Sequence, residues 1–569
     1  MSGQNRVIVL MLGVLAALVI VVGGLSAVLL LGGGEEGTTT SAPDESGGID
    51  RGTTGGTDSG GTDGSDTSDS VEASGRLRLA GSDPVTMDPH LAGDSGSAEF
   101  IVEIFSGLVT ISPELNIELD LAESFEVSDD GLVYTFTLRD DAFFHQGRRV
   151  TADDVRWSME RAASRELASP TALAYLGDIL GVRERFYEGA ESITGIEVID
   201  DRTIQFTIDE PKPYFLAKLS YPTAFVVDRQ QIEANPRGWT RRPNGTGPYR
   251  LQEWRLGQRI VLKANSQYHL GSPVTDEVLY ELSGGSTLTR FENGELDVAF
   301  ISVNDIDRAR DPESDIGPLY QVFPQFTISY LALNTNVPPF DDVNVRRALG
   351  FSIDRTLIAE VTFNNMLAPA TGILMPELPG YTPGDKTFSF DPDEARRLLA
   401  ASKYGSAENL PEIVLTEVGG GAEGRIDTQA FIQQWREELN IEVRIEQTDF
   451  ATILARQDEG SLQMFNAGWI MDYPDPEDIL DLKFHSESAL NDVNYSNAGV
   501  DAILEEARIE QDAGRRLELY QEAERLIIED AAWLPLYFSQ SHVVINADVE
   551  GWFEPPMVIP RLRFVKVNR

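Results

Sequence analysis

Apolar and polar residues alternate in short runs along most of this chain, and stretches with helical spacing separate the runs. Leu77 and Leu79 form the first alternating pair, and Pro84, Pro89 and Gly93 mark a loop before a helix predicted over 98–109. Residues 125–138 alternate on both sides of an Asp-Asp-Gly turn, which predicts a hairpin, and 196–208 repeat the device. Between the hairpins, Thr151 and Asp154 suit a helix start, with Val155, Met159 and Ala162 on one face. Trp157 and Met159 are read there as core. Over 291–299 a helix end turns through Gly294 into a strand, and Phe326, Ile328, Tyr330 and Leu331 read as another strand. Asp341 or Asp342 can cap a helix carrying Val345, Ala348 and Leu349. Asp391-Pro392-Asp393-Glu394 is a second strong start, with cap, proline and acid in their favoured places. The amphipathic stretch 425–440 leads into a strand of Ile441, Val443 and Ile445, and 502–510 and 515–529 predict further helices. Strand and helix in turn predict α/β layers. No repeat of solenoid or propeller period is visible.

The chain is organised around 244–268, NGTGPYRLQEWRLGQRIVLKANSQY. Gly245 and Gly247 are read as supplying backbone angles closed to other residues, and Pro248 fixes φ before a strand. Tyr249, Leu251, Ile260 and Leu262 then alternate, so this is a tight loop feeding a hairpin.

At 569 residues the chain has room for two or three domain-sized units. A formal net charge of −46 repels nucleic acid and anionic membrane surfaces and argues against nucleic-acid binding. The lack of cysteine removes disulfides, thiolate metal sites and a cysteine nucleophile. Metalloprotease, nucleophile-elbow and phosphate-loop motifs are missing, and the five histidines are scattered; His90, in a loop, is read as structural. Residues 7–31 carry no charge and are long enough to span a bilayer. Arg6 before them and Glu35 and Glu36 after them place the rest outside the cytoplasm. Without small residues at a cleavage site, the segment is expected to be an uncleaved signal anchor in the cell membrane. Residues 32–75 are almost all Gly, Ser, Thr and Asp, a disordered tether with a reach of roughly 35 Å.

Several phrases carry a family resemblance. They are GTGPY followed by a Trp, a Gly-Gln pair and Asn-x-x-Tyr within 245–268, and F-H-x-G-x-x-x-T-A-x-D-V over 144–155. To these add DPH at 88–90, GLV at 107–109, FENGELDVA at 291–299, and G-W-x-x-D-Y-x-x-P over 468–476. Together, from 76 to 569, they resemble the family 5 extracytoplasmic solute-binding proteins of ABC transporters, which include dipeptide and oligopeptide binders. The resemblance implies an α/β fold of two lobes around a cleft, periplasmic-binding-protein-like and of the large peptide-binding class. Lobe 1 would comprise 76–323, with an extra subdomain near 111–241, and lobe 2 would comprise 324–534. Residues 535–569 would return to lobe 1. It further implies a monomer without cofactor or metal, delivering its solute to a membrane permease driven by a cytoplasmic ATPase.

The same resemblance places Asp472 against a ligand's α-ammonium group, with Trp469 lining the pocket or serving the core. A carboxylate shielded from water makes a strong charge-assisted bond to an ammonium group. Arg425, beyond the flexible glycine run at 419–424, is the candidate for the ligand's carboxylate, although the wording there departs from the family's. Phe326, Tyr330 and Asn334 are weaker cleft candidates. Asp475, Glu477 and Asp478 are read as a solvated acidic loop capping a helix. The favoured solute is a short peptide; a nickel chelate, an oligosaccharide or an opine-like compound stays open, as does a sensor. The rival of another class is a tethered hydrolase using the carboxylates between 472 and 478.

Overall fold

The computed structural model describes residues 75–420, 424–488 and 490–569. The apolar segment 7–31, nearly all of the tether and three residues of the glycine run therefore lie outside the described residues. Among the described residues, no helix is long and apolar enough to cross a membrane.

Two bodies of sheet meet at a pair of long strands. The first is a four-stranded sheet in which Arg76–Ala80 runs parallel to Glu277–Glu281, followed by Arg259–Ala264 and Tyr249–Arg255. Leu77, Tyr249, Ile260, Leu262 and Val278 fill its core together with Leu562, Val565 and Val567 from the carboxyl end. Backbone polar groups bind the two ends of the chain there. The Tyr249 hydroxyl donates to Leu562 O at 3.2 Å, and Glu103 Oε1 accepts from the amides of Arg561 and Leu562 at 2.7 and 2.9 Å.

Attached to this body is a second four-stranded sheet, ordered Ala122–Val127, Val133–Leu138, Thr203–Thr207, Ile196–Val198, as the paired hairpin pattern requires. The Ala152–Ala162 helix covers it with Val155, Met159 and Ala162 fully buried. Thr151 and Asp154 close a reciprocal capping box, at 3.3 Å to the Asp154 amide and 2.9 Å to the Thr151 amide.

Gly245 and Gly247 act differently from the expectation. Neither has a positive φ. A Cβ on Gly245 would stand 2.0 Å from Ile104 O, and one on Gly247 2.6 Å from the Ile104 carbonyl carbon. Close approach of two backbones, not backbone torsion, demands glycine here. The approach also ends the Ser95–Ile104 helix, shorter than the 98–109 predicted: Gly247 N donates to Ile104 O, and the Ser106 amide donates to Thr246 Oγ1. Residues 109–111 become a strand paired with 117–119.

The second body is a seven-stranded mixed sheet. Its long strands Tyr320–Leu333 and Trp533–Ile545 pair with each other along most of their length. At one end Val298–Phe300 adds to Trp533–Ile545. At the other, Met464–Ile470 adds to Tyr320–Leu333 and is followed by Ile413–Val418 and Val443–Thr448. The register breaks between Pro324 and Ile328, where the Phe326 amide turns away to Pro556 O at 2.8 Å. Asp342 and Asp391 cap Val343–Phe351 and Pro392–Ala401, and Ile432, Trp435 and Leu439 of the Ile426–Leu439 helix are buried.

Removing the capping hydroxyl with Thr151→Ala is expected to destabilise the hairpin subdomain by about 0.5–2 kcal/mol. Urea unfolding followed by circular dichroism measures it, and an unchanged midpoint would show that the box contributes nothing.

Candidate functional site

A cavity of about 1890 Å³ lies against the face of the seven-stranded sheet where its side chains are small. Thr327, Ser329, Gly468 and Ser539 line it. Cross-strand pairing sets Ser329 opposite both Gly468 and Tyr537, so these residues share one face. The opposite wall comes from the first body, through Tyr175, Tyr221 and Lys218. Tyr175 and Tyr221 stack with ring centroids 3.8 Å apart.

The two walls touch at one edge. The Tyr175 hydroxyl donates to Asp472 Oδ2, and its ring meets Tyr473 edge-on at 6.3 Å. Lys218 Nζ lies 3.0 Å from Asp178 and 3.4 Å from Glu477 of the far wall. Arg516 sits over the Tyr214 ring at 5.2 Å, and Gln511 Nε2 donates to Pro211 O at 2.8 Å.

The acidic segment is not the solvated loop that its composition suggests. Glu477 and Asp478 are 3% and 0% exposed, in the first turn of the Glu477–Phe484 helix. Asp475 accepts the Glu477 amide from the position before the helix cap, which Pro476 occupies, and also holds Arg516 through two bonds of 2.7 Å. Glu477 accepts from the Tyr473 hydroxyl, and Asp478 Oδ2 accepts from Trp469 Nε1 at 3.2 Å and from the Asp472 amide at 2.9 Å. These bonds offset the cost of burial, although Asp478 Oδ1 has no partner among the described residues.

Asp472 is the exception. It lines the cavity, and among the described residues its carboxylate is bonded by a phenol and by no cation. Burial pushes its carboxyl well above the usual carboxylate range, with the bond from Tyr175 opposing. Burial likewise raises Asp478, and the neighbouring Asp472 charge adds to the effect. Burial raises Glu477 too, with Lys218 opposing. The cations in this region are already committed: Lys212 and Lys218 to Asp178, Arg516 to Asp475, Arg508 to Asp481 and Lys483 to Asp492. The site is a polar cavity with an unneutralised acidic edge.

The other sequence candidates divide. Trp469 lines the cavity while its indole N–H holds Asp478. Tyr330 lines it too, but its hydroxyl donates to Asp492 at 2.9 Å and its ring stacks on Trp533. Arg425 lines the cavity and is paired with Asp427 at 3.1 and 2.9 Å. Phe326 and Asn334 do not belong to the lining. Phe326 is fully buried core, and Asn334 spends its amide on Gly460 O and Leu462 O at 3.0 and 2.9 Å. Tyr175, Tyr221, Lys218 and Tyr537 line the cavity without any sequence signal that separated them from core or surface residues. His90 is buried, its Nε2 donating to Phe225 O at 2.9 Å and its Nδ1 facing Arg161. Among the described residues no three His, Asp or Glu side chains are placed to hold a metal ion.

The family described as bacterial extracellular solute-binding proteins, family 5 (middle portion), matches residues 116–491. The chain is 29% identical over 494 residues to the periplasmic oligopeptide-binding protein OppA of Escherichia coli K12, covering 84% of this chain and 89% of the relative. It is 28% identical over 485 residues to the probable deoxycholate-binding periplasmic protein YgiS of the same organism, covering 83% and 89%. Its fold is similar to the crystal structure of a periplasmic oligopeptide-binding protein from Borrelia burgdorferi, with a TM-score of 0.74, 28% identity and coverage of 86% and 99%. The chain thus has the two-lobed architecture of these binding proteins. The chain belongs to family 5 of the bacterial extracellular solute-binding proteins.

Proposed function

We propose that this receptor captures short peptides with a free amino terminus and passes them to an ABC permease driven by a cytoplasmic ATPase. The observation that carries the reading is Asp472, a cavity-lining carboxylate with a phenol and no cation for a partner. A primary ammonium supplies both the charge and the donors that the site lacks, and the bond is strengthened by the low local dielectric. In this reading Trp469 walls the amino-terminal pocket, Arg425 faces the peptide's carboxylate, and Tyr330 supports the wall through Trp533.

Closure follows from the same contacts. The lobes divide as 76–323 with its subdomain near 111–241, 324–534, and 535–569 returning to the first lobe, and the crossing strands flex at the register break near Pro324. A peptide touching both walls favours the closed arrangement by its differential contacts. The segment 7–31 anchors the receptor on the outer side of the membrane, and 32–75 tethers it there. A second reading has one specific support, the relative named for deoxycholate binding. A solute of that kind has no ammonium group and would leave Asp472 protonated.

Asp472→Asn keeps the shape and removes the charge. It is expected to weaken binding of free-amino peptides by about 10- to 100-fold, the weight of a hydrogen bond to a charged group, and to leave amino-acetylated peptides unaffected. Calorimetric titration of both peptide forms decides it: equal affinity of both forms for the unaltered protein would exclude the ammonium site.

A pH dependence follows with its sign set by the raised Asp472 carboxyl. The ammonium group binds the ionised carboxylate, so affinity is full above the raised pKa and falls as the pH drops through it. The loss begins at a pH where an ordinary carboxylate is still ionised. Titrations across that range should show the decline in the unaltered protein and a flat profile in Asp472→Asn.

A further inference from the structure

The floor of the cavity holds a hydrogen-bond donor that the protein does not use. Tyr537 is 1% exposed and lines the cavity, yet its hydroxyl has no partner among the described residues. Buried polar groups are ordinarily satisfied, and an exception in a binding cavity marks a place for something that arrives later. The neighbouring tyrosines of the cleft make the contrast: the Tyr175 hydroxyl is held by Asp472 and that of Tyr330 by Asp492.

Arg425 has spare donors at the same cavity. Its Nε and Nη2 go to Asp427, which leaves the N–H groups of Nη1 without an acceptor among the described residues. Its backbone amide is held by Glu417 at 2.8 Å, and Glu417 is fixed in turn by Thr428 and Asn466. The arginine is therefore mounted on the sheet and the helix start, not loose. The charges of Asp427, Arg355 and Arg425 all act on the Tyr537 phenol, so the two donors share one neighbourhood.

We propose that Tyr537 is a second donor to the bound peptide's terminal carboxylate, its hydroxyl serving one oxygen while Arg425 Nη1 serves the other. This rests on the peptide reading above and specifies its far end. Geometry along the sheet limits the ligand. Tyr537 lies opposite Ser329, and Ser329 opposite Gly468, so two strand spacings separate Tyr537 from the strand that leads to Asp472. Two spacings, with the four residue steps from Gly468 to Asp472 along the strand, amount to about 16 Å, the reach of roughly four to five extended residues.

The test uses the full chain in detergent with tri-, tetra- and penta-alanine, each as the free acid and as the carboxyl-terminal amide. The unaltered protein should favour the free acid by about 10-fold or more, the weight of a charge-assisted hydrogen bond. Tyr537→Phe should lose most of that preference while its thermal midpoint holds, because the hydroxyl has no partner among the described residues to lose. A preference that survives Tyr537→Phe intact would overturn the role of Tyr537. Equal binding of acid and amide to the unaltered protein would overturn the carboxylate site and leave the ammonium site standing. Failure of every peptide, acid or amide, to bind would overturn the peptide reading itself and this inference with it.

Discussion

Everything in this receptor depends on two long strands that are hydrogen-bonded to one another along most of their length. Tyr320–Leu333 and Trp533–Ile545 carry a single sheet from Val298–Phe300 at one end to Met464–Ile470 and beyond at the other. A backbone ladder is stiff against sliding, so it fixes which residues face each other across the cavity. The register shifts twice, between Pro324 and Ile328 and again between Ser329 and Tyr330. Small residues at Ser329, Gly468 and Ser539 on the ladder's open face then make the cavity, since nothing there fills the space that a larger side chain would occupy.

Charge distinguishes this cavity from an ordinary gap between domains. Most ionised groups along its edge are paired across short distances, and such buried pairs are costly to break and add little stability when intact. Against that background two groups stand out among the described residues: the Asp472 carboxylate, bonded by a phenol and no cation, and the Tyr537 hydroxyl, which has no partner. The two walls of the cavity touch directly through Lys218 and Glu477 and through Tyr175 and Asp472.

Much of the secondary structure was legible because it rests on local rules. The hairpins over 125–138 and 196–208 and the caps at Thr151, Asp342 and Asp391 formed as alternation and capping chemistry require. Where local reasoning failed, a distant contact was responsible. The Ser95–Ile104 helix stops early because Gly247 donates to its last carbonyl, and the same approach explains the glycines that torsion does not. Asp475, Glu477 and Asp478 read as solvated because acidic residues beside prolines usually are. Their burial depends on Arg516, Lys218 and Trp469, and neither Arg516 nor Lys218 lies near them in the chain.

The sequence by itself determined the family, the order of elements and the position of Asp472 in a cleft loop, because each is written in contiguous phrases. It could not tell Phe326, Tyr330 and Asn334 apart, since a strand residue's usefulness depends on which face the partner strands leave open. Register and packing turned Phe326 into core and gave the Asn334 amide to Gly460 and Leu462. They also brought Tyr175 and Tyr537, which nothing marked in the sequence, to the walls of the cavity. A side chain's partners are a property of the folded chain: hydrogen bonds and ion pairs between residues hundreds of positions apart exist only once the lobes are built.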